Sequence, residues 1–102
     1  MKISVVLPVI NAFTQLEDLL SSLVGDLESG DEVIVVNDGS KDEPPTRYLS
    51  LEKLDPAIKV INQTHGGLVS ALNNGISHSR NPLIARLDVD DTYHKGRFRH
   101  QR

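Results

Sequence analysis

Four short apolar runs rich in β-branched residues, Lys2–Val9 (KISVVLPV), Glu32–Asn37 (EVIVVN), Ala57–Asn62 (AIKVIN) and Leu83–Leu87 (LIARL), alternate with segments of helical period. A strand covered on both faces reads as an unbroken apolar run, whereas a half-exposed strand alternates with polar residues. Parallel strands need a crossover to return the chain, and a helix is the usual one. The alternation therefore predicts an α/β domain of three layers, a mainly parallel sheet with helices on both faces. At 102 residues this is one domain with a modest core.

The connecting segments carry the punctuation such a fold needs. Pro8 and Asn11 are expected to end the first strand. Thr14-Gln15-Leu16-Glu17 has the form of a capping box, and Leu16, Leu19, Leu20, Leu23 and Leu27 follow on one helical face. Pro44-Pro45 suits entry to a short helix over about Thr46–Leu54, which Asp55-Pro56 stops. Lys59 is expected near a sheet edge. After Gly66-Gly67, the residues Leu68, Ala71, Leu72, Gly75 and Ile76 recur at helical spacing. Gly75 costs about 1 kcal/mol against alanine inside a helix, so its purpose is a close approach to the sheet.

The fourth run leads into Asp88-Val89-Asp90-Asp91. If the strand continues through them, Asp88 and Asp90 point to one side and Val89 to the other. Two carboxylates in one small space repel unless a cation lies between them. Oxygen-only ligands at a strand end suit Mg²⁺ or Mn²⁺, which keep positions open for water and phosphate oxygens. An ordinary turn or cap also accounts for such acids taken alone. The chain has no cysteine, which removes disulfides and thiolate metal sites. A net charge of −3 and few aromatics argue against nucleic-acid binding. The N-terminal apolar run is too short to span a membrane and lacks a cleavage pattern, so a cytoplasmic setting is expected, with the cytoplasmic face of a membrane as a variant.

Open parallel sheets bind ligands at the carboxyl ends of strands, where the strand order reverses. An order 3-2-1-4 would bring Pro8-Val9-Ile10-Asn11, Asn37-Asp38-Gly39-Ser40 and Asp88 to Asp91 into one crevice. With Gly67 to Gly75 (GLVSALNNG) between them, these motifs resemble, in order and spacing, the nucleotide-binding half of the family 2 glycosyltransferases. The resemblance implies a Rossmann-like GT-A fold and an inverting transferase that moves a sugar from a nucleotide diphosphate donor, by preference a UDP-sugar, to a hydroxyl of a saccharide, lipid or protein. Polysaccharide synthesis is the expected setting. It places Asp38 at the nucleotide base, with Pro8, Val9 and Asn11 around the same pocket, Asp88 near the ribose and the metal, and Asp90 on a divalent ion, Mn²⁺ or Mg²⁺. Two departures stand out: Ile10 where the family often has an aromatic, and Leu72 before Asn73 where it often has an arginine, so that Arg86 or the basic tail is the candidate to substitute for a diphosphate contact from this helix. The general base has no counterpart up to residue 102, so residues 1–102 are expected to be the donor-binding part of a truncated domain, better at binding than at transfer.

Two other classes stay open at this point. A non-catalytic nucleotide-binding module fits the same motifs. A Mg²⁺-dependent phosphoacceptor receiver fits the size, but would need acids directly after the first strand. His65, His78, His94 and His100 match no zinc spacing and read as surface residues, His65 alone lying beside the crevice. Gly66-Gly67 could offer N–H groups to an anion. Lys95, Arg97, Arg99 and Arg102 form a basic run suited to a solvated face, to phosphate, or to a membrane surface in the full protein. An incomplete sheet would also leave an edge open to self-association.

Overall fold

The computed structural model of the chain describes residues 1–90. Asp91, His94, His100 and the basic run lie outside them. Strands β1 (Ile3–Val9), β2 (Glu32–Asp38), β3 (Ile58–Gln63) and β4 (Leu83–Arg86) form one sheet in the order β3-β2-β1-β4. Every pairing is parallel. The expected architecture and strand order are both present.

Helix α1 (Phe13–Leu23) and the short helix α2 (Pro45–Leu49) cover one face of the sheet. Their residues Leu16, Leu20, Leu23 and Tyr48 pack with Ile3, Val5, Leu7, Val33 and Val35 in the main core. Helix α3 (Leu68–Ser77) covers the other face, where Ala71 meets Ile34 and Val36. A Cβ added at Gly75 would lie 2.5 Å from Val6 Cγ1 and 3.2 Å from Val36 Cγ2, so the close approach expected there is real. This proximity also corrects the expected buried face of α3. Only Ala71 and Gly75 are buried, while Leu68 and Ile76 are 50% and 47% exposed. A helix seated on its smallest residues holds its larger ones at the flanks, and among the described residues no other helix lies on this face to cover them.

Helix α1 begins before the expected capping box. Its first residue is Phe13, buried edge-on against Tyr48 with ring centroids 5.2 Å apart. Thr14 thus falls inside the first turn and caps nothing. The first N–H is met instead from another loop, by Asp42 Oδ2 at 3.0 Å from Phe13 N, and Asp42 Oδ1 accepts the Tyr48 hydroxyl at 2.9 Å. The α-helix also stops short of Leu27, giving way to a 3₁₀ turn over Val24–Asp26. The second helix is entered through the two prolines, as expected, but starts at Pro45 and is α-helical only to Leu49, with a 3₁₀ turn over Ser50–Lys53 in the rest of the expected span.

Pro8 lies inside β1 and does not end it. Leu87 N–H donates to the Val6 carbonyl at 3.1 Å, so the even-numbered backbone groups of β1 face β4. The next rung on that side would need an N–H from residue 8, which proline lacks. Pairing of β1 with β2 continues through Pro8↔Val36 to Val9↔Asn37, whereas pairing with β4 stops at Val6↔Arg86. The sheet therefore opens between the end of β1 and residues 87–90.

At the opposite, amino-terminal edge, Glu32 is 1% exposed yet fully engaged. It accepts from the Ser4 hydroxyl at 2.7 Å and the Arg80 N–H at 2.6 Å, and its other oxygen lies 3.4 Å from both Lys59 Nζ and Arg80 Nε. Lys59, on the edge strand β3 as expected, reaches inward to make this contact. The tie joins β1, β2, β3 and the turn before β4.

Candidate functional site

The opening beside Pro8 is the mouth of a cavity of about 580 Å³ lined from β1 by Pro8 and Val9, from β2 by Asp38, and from the end of β4 by Arg86, Asp88 and Asp90. Three strand ends that are remote in sequence are thus brought together by the strand order. Of the residues singled out from sequence, Pro8, Val9, Asp38, Asp88 and Asp90 line this space. Asn11 does not. It adopts a positive φ of 53°, and its Oδ1 accepts Lys41 N–H at 2.6 Å while its own N–H donates to Ser40 Oγ at 2.9 Å. Asn11 ties the loop after β1 to the loop after β2.

Asp38 is 5% exposed, and its carboxylate organises the turn after β3. Oδ1 accepts from Gly66 N–H at 2.8 Å and from the Gln63 amide at 2.9 Å; Oδ2 accepts from Gly67 N–H at 3.1 Å and lies 3.1 Å from His65 Nδ1. Nδ1 is also 3.2 Å from the Asp38 carbonyl oxygen, so it faces two acceptors and must carry the proton. All the lone-pair positions of the carboxylate are engaged. The Gly66 and Gly67 N–H groups, which could serve an anion or merely a turn, are thus taken by the protein's own Asp38. Gly39 permits this packing: at φ 76° its missing Cβ would lie 2.8 Å from His65 N.

Burial alone would raise the Asp38 carboxyl, but the Gly66 N–H, the Gln63 amide, the Gly67 N–H and nearby His65 outweigh it and hold the group below its ordinary value of 3.8. A carboxyl lowered on folding stabilises fully above its unfolded value, and that contribution fades as pH falls toward the folded value. Asp38→Asn should therefore cost about 1–2 kcal/mol at pH 7. In urea unfolding of both proteins, the gap between them should narrow as pH drops from about 5 to 3; a gap independent of pH would contradict this.

The acidic segment differs from the expected strand geometry. Because β4 ends at Arg86, Asp88 and Asp90 do not sit on a pleat, and strict alternation no longer applies. Leu87 is fully buried, and Val89, which packs against the main core, also lines the cavity between Asp88 and Asp90. Arg86 grips Asp88, with Nε 3.2 Å from Oδ1 and Nη2 3.3 Å from Oδ2. Among the described residues no group of three or more His, Asp or Glu side chains forms a metal cage. The donor set suits a hard cation that takes its remaining ligands from phosphate oxygens and water, and does not suit one held by protein alone.

Sequence reasoning missed Gln63 as part of this site. Its place at the carboxyl end of β3 was the available signal: it links Asp38 to Asn74, whose amide donates to Gln63 Oε1 at 2.8 Å. His65 lines the cavity as expected, and His78 is exposed on α3's end, against the Asn74 carbonyl.

A parallel sheet with a carboxylate-lined cavity at its order reversal defines an open α/β domain of the kind that binds ligands at the carboxyl ends of its strands. Residues 4–101 match Glycosyl transferase family 2, and the chain belongs to that family. It is 34% identical over 99 residues to an uncharacterised glycosyltransferase of Rickettsia bellii, covering 97% of this chain and 14% of that protein. It is 37% identical over 89 residues to the uncharacterised glycosyltransferase EpsJ of Bacillus subtilis, covering 87% of this chain and 26% of EpsJ. Among solved structures, S. aureus TarS residues 1–349 superpose with a TM-score of 0.83 at 26% identity, over 99% of this chain and 31% of that one. The mannosyltransferase PcManGT of Pyrobaculum calidifontis, in complex with GDP-Man and Mn²⁺, gives 0.77 at 25% identity, over 86% of this chain and 27% of that one. The fold is GT-A, and the chain spans less than a third of each of these proteins. Family membership removes the phosphoacceptor receiver from consideration.

Proposed function

We propose that the cavity at the carboxyl ends of β1, β2 and β4 binds the nucleoside diphosphate of a sugar donor together with Mn²⁺ or Mg²⁺. On this reading the full protein transfers the sugar, with inversion, to a hydroxyl of a saccharide, lipid or protein acceptor. The observation that carries it is the convergence of Asp38, Asp88 and Asp90 on one cavity. The Mn²⁺ and GDP-Man complex of PcManGT supports it.

The residues divide the work by chemistry. Pro8 and Val9, with Ile10 beside them, supply an apolar wall for the base, and Asp38 holds the 63–67 turn that closes the pocket opposite. Ile10 offers contact area but no aromatic face for stacking. Asp88 and Asp90 are the residues that would hold the cation. When bound, the ion offsets diphosphate charge and acts as a Lewis acid toward the leaving group. Without it, the carboxylates lining the cavity repel a diphosphate. Direct displacement also needs a base to take the acceptor's proton, a role we assign to a residue beyond this chain.

Thermal or chemical denaturation with UDP, ADP and GDP, each with and without Mn²⁺, tests the reading. One nucleotide should stabilise the protein by about 2.7 kcal/mol at 100 times its Kd, and only with the metal present. If none of the three alters the unfolding curve in Mn²⁺, the donor site is lost as an explanation of this cavity.

A further inference from the structure

We propose that Arg86 is a phosphate-binding residue of this site, and that Asp88 passes from Arg86 to the cation when the donor arrives, freeing the guanidinium for the diphosphate. The inference rests on the donor-site reading above and assigns two of its side chains a coupled role.

Arg86 is the one lysine or arginine among the described residues that line the cavity, against the carboxylates of Asp38, Asp88 and Asp90. It is the last residue of β4, opposite Val6, where the sheet opens. A guanidinium fork matches the two oxygens of a carboxylate or of a phosphate equally well, and Asp88 already occupies that fork with Nε–Oδ1 at 3.2 Å and Nη2–Oδ2 at 3.3 Å. Asp88 is therefore placed as an internal stand-in for a phosphate.

Two features make the exchange easy. Both side chains reach solvent, at 47% and 40% exposure, and a water-exposed ion pair is weak, so little opposes its separation. Both Asp88 oxygens face guanidinium N–H groups, whereas a cation needs one of their lone pairs, so Arg86 and the ion compete for the same atoms. Once Asp88 and Asp90 lie on a divalent ion, the diphosphate is the remaining anion within reach of Arg86. Asp38 offers no alternative, because its oxygens are taken by the 63–67 turn. The guanidinium thus has Asp88 as its partner here and a phosphate as its partner once a donor binds.

This exchange predicts opposite changes in two affinities, which a merely structural role for Arg86 does not. In Arg86→Gln, Mn²⁺ should bind the nucleotide-free protein several-fold tighter by electron paramagnetic resonance titration, because Asp88 is released from its competitor. Whichever of UDP, ADP and GDP stabilises the unaltered protein should bind the variant about 10- to 100-fold more weakly in saturating Mn²⁺, as expected for losing a charge-assisted phosphate contact. The matching nucleoside should bind both proteins alike. Arg86→Lys, which keeps the charge without the fork, should fall between them. Unchanged diphosphate affinity in Arg86→Gln, an equal loss for the nucleoside, or weaker Mn²⁺ binding each overturns the inference while leaving the donor site standing. Absence of diphosphate binding by the unaltered protein overturns both.

Discussion

Glu32→Ala is expected to lower the free energy of unfolding by about 3 kcal/mol, from one buried and one part-buried donor that lose their acceptor at roughly 1–3 kcal/mol each. Those donors are the Ser4 hydroxyl, on a fully buried residue, and the Arg80 N–H. The charged partners add little, because the Lys59 and Arg80 side chains are 42% and 72% exposed and regain water when released. Lys59→Ala should accordingly cost less than about 1 kcal/mol. Desolvation by itself would raise the Glu32 carboxyl, yet the Ser4, Arg80 and Lys59 contacts hold it below its ordinary value of 4.5. The stabilisation is thus complete above that value and shrinks as pH falls below it. Urea unfolding at pH 7 checks the contrast between the two variants, and equal losses would mean that the ion pairs, not the buried hydrogen bonds, carry the tie.

Asp90→Asn is expected to remove the metal-dependent part of nucleotide binding. Asp90 is exposed at the cavity rim, so the substitution leaves the core untouched and its effect on stability should stay within about 0.5 kcal/mol. An amide of the same shape keeps an oxygen but loses the charge that a hard cation requires. The Mn²⁺-dependent stabilisation by nucleotide, about 2.7 kcal/mol at 100 times Kd in the unaltered protein, should vanish. An unchanged Mn²⁺ response in the variant would take Asp90 out of the site. Together the two variants separate the sheet's two edges: Glu32 acts on folding alone, Asp90 on ligand alone.

The sheet was legible in the chain because strands covered on both faces cannot be written with alternating residues, and the interiors of Glu32–Asn37 and Lys2–Val9 are apolar but for Ser4. Its order was a supposition that gathers the polar residues at the strands' carboxyl ends into one crevice, and the sheet has that order. What escaped depends on contacts between segments far apart in sequence. The cap of α1 comes from Asp42 across a loop, so the local Thr14-to-Glu17 pattern pointed to the wrong residue. The end of β4 is set by the N–H that Pro8 does not have, a fact about the neighbouring strand. Asp38 was legible as a site residue, but the engagement of its carboxylate by Gly66 and Gly67 requires the turn after β3 to fold back over β2. By contrast, the Arg86 and Asp88 pair lies two residues apart in sequence.

Paramagnetic broadening of amide resonances by Mn²⁺ in the presence of the stabilising nucleoside diphosphate locates the ion within the fold directly. Signals of Val9, Gly67 and Asp90, at the cavity, should broaden first and saturably, while those of Glu32 and Ala57, at the far edge of the sheet, should stay sharp. Broadening centred on Glu32 and Ala57, or spread evenly over the molecule, would contradict a cation site at the strands' carboxyl ends.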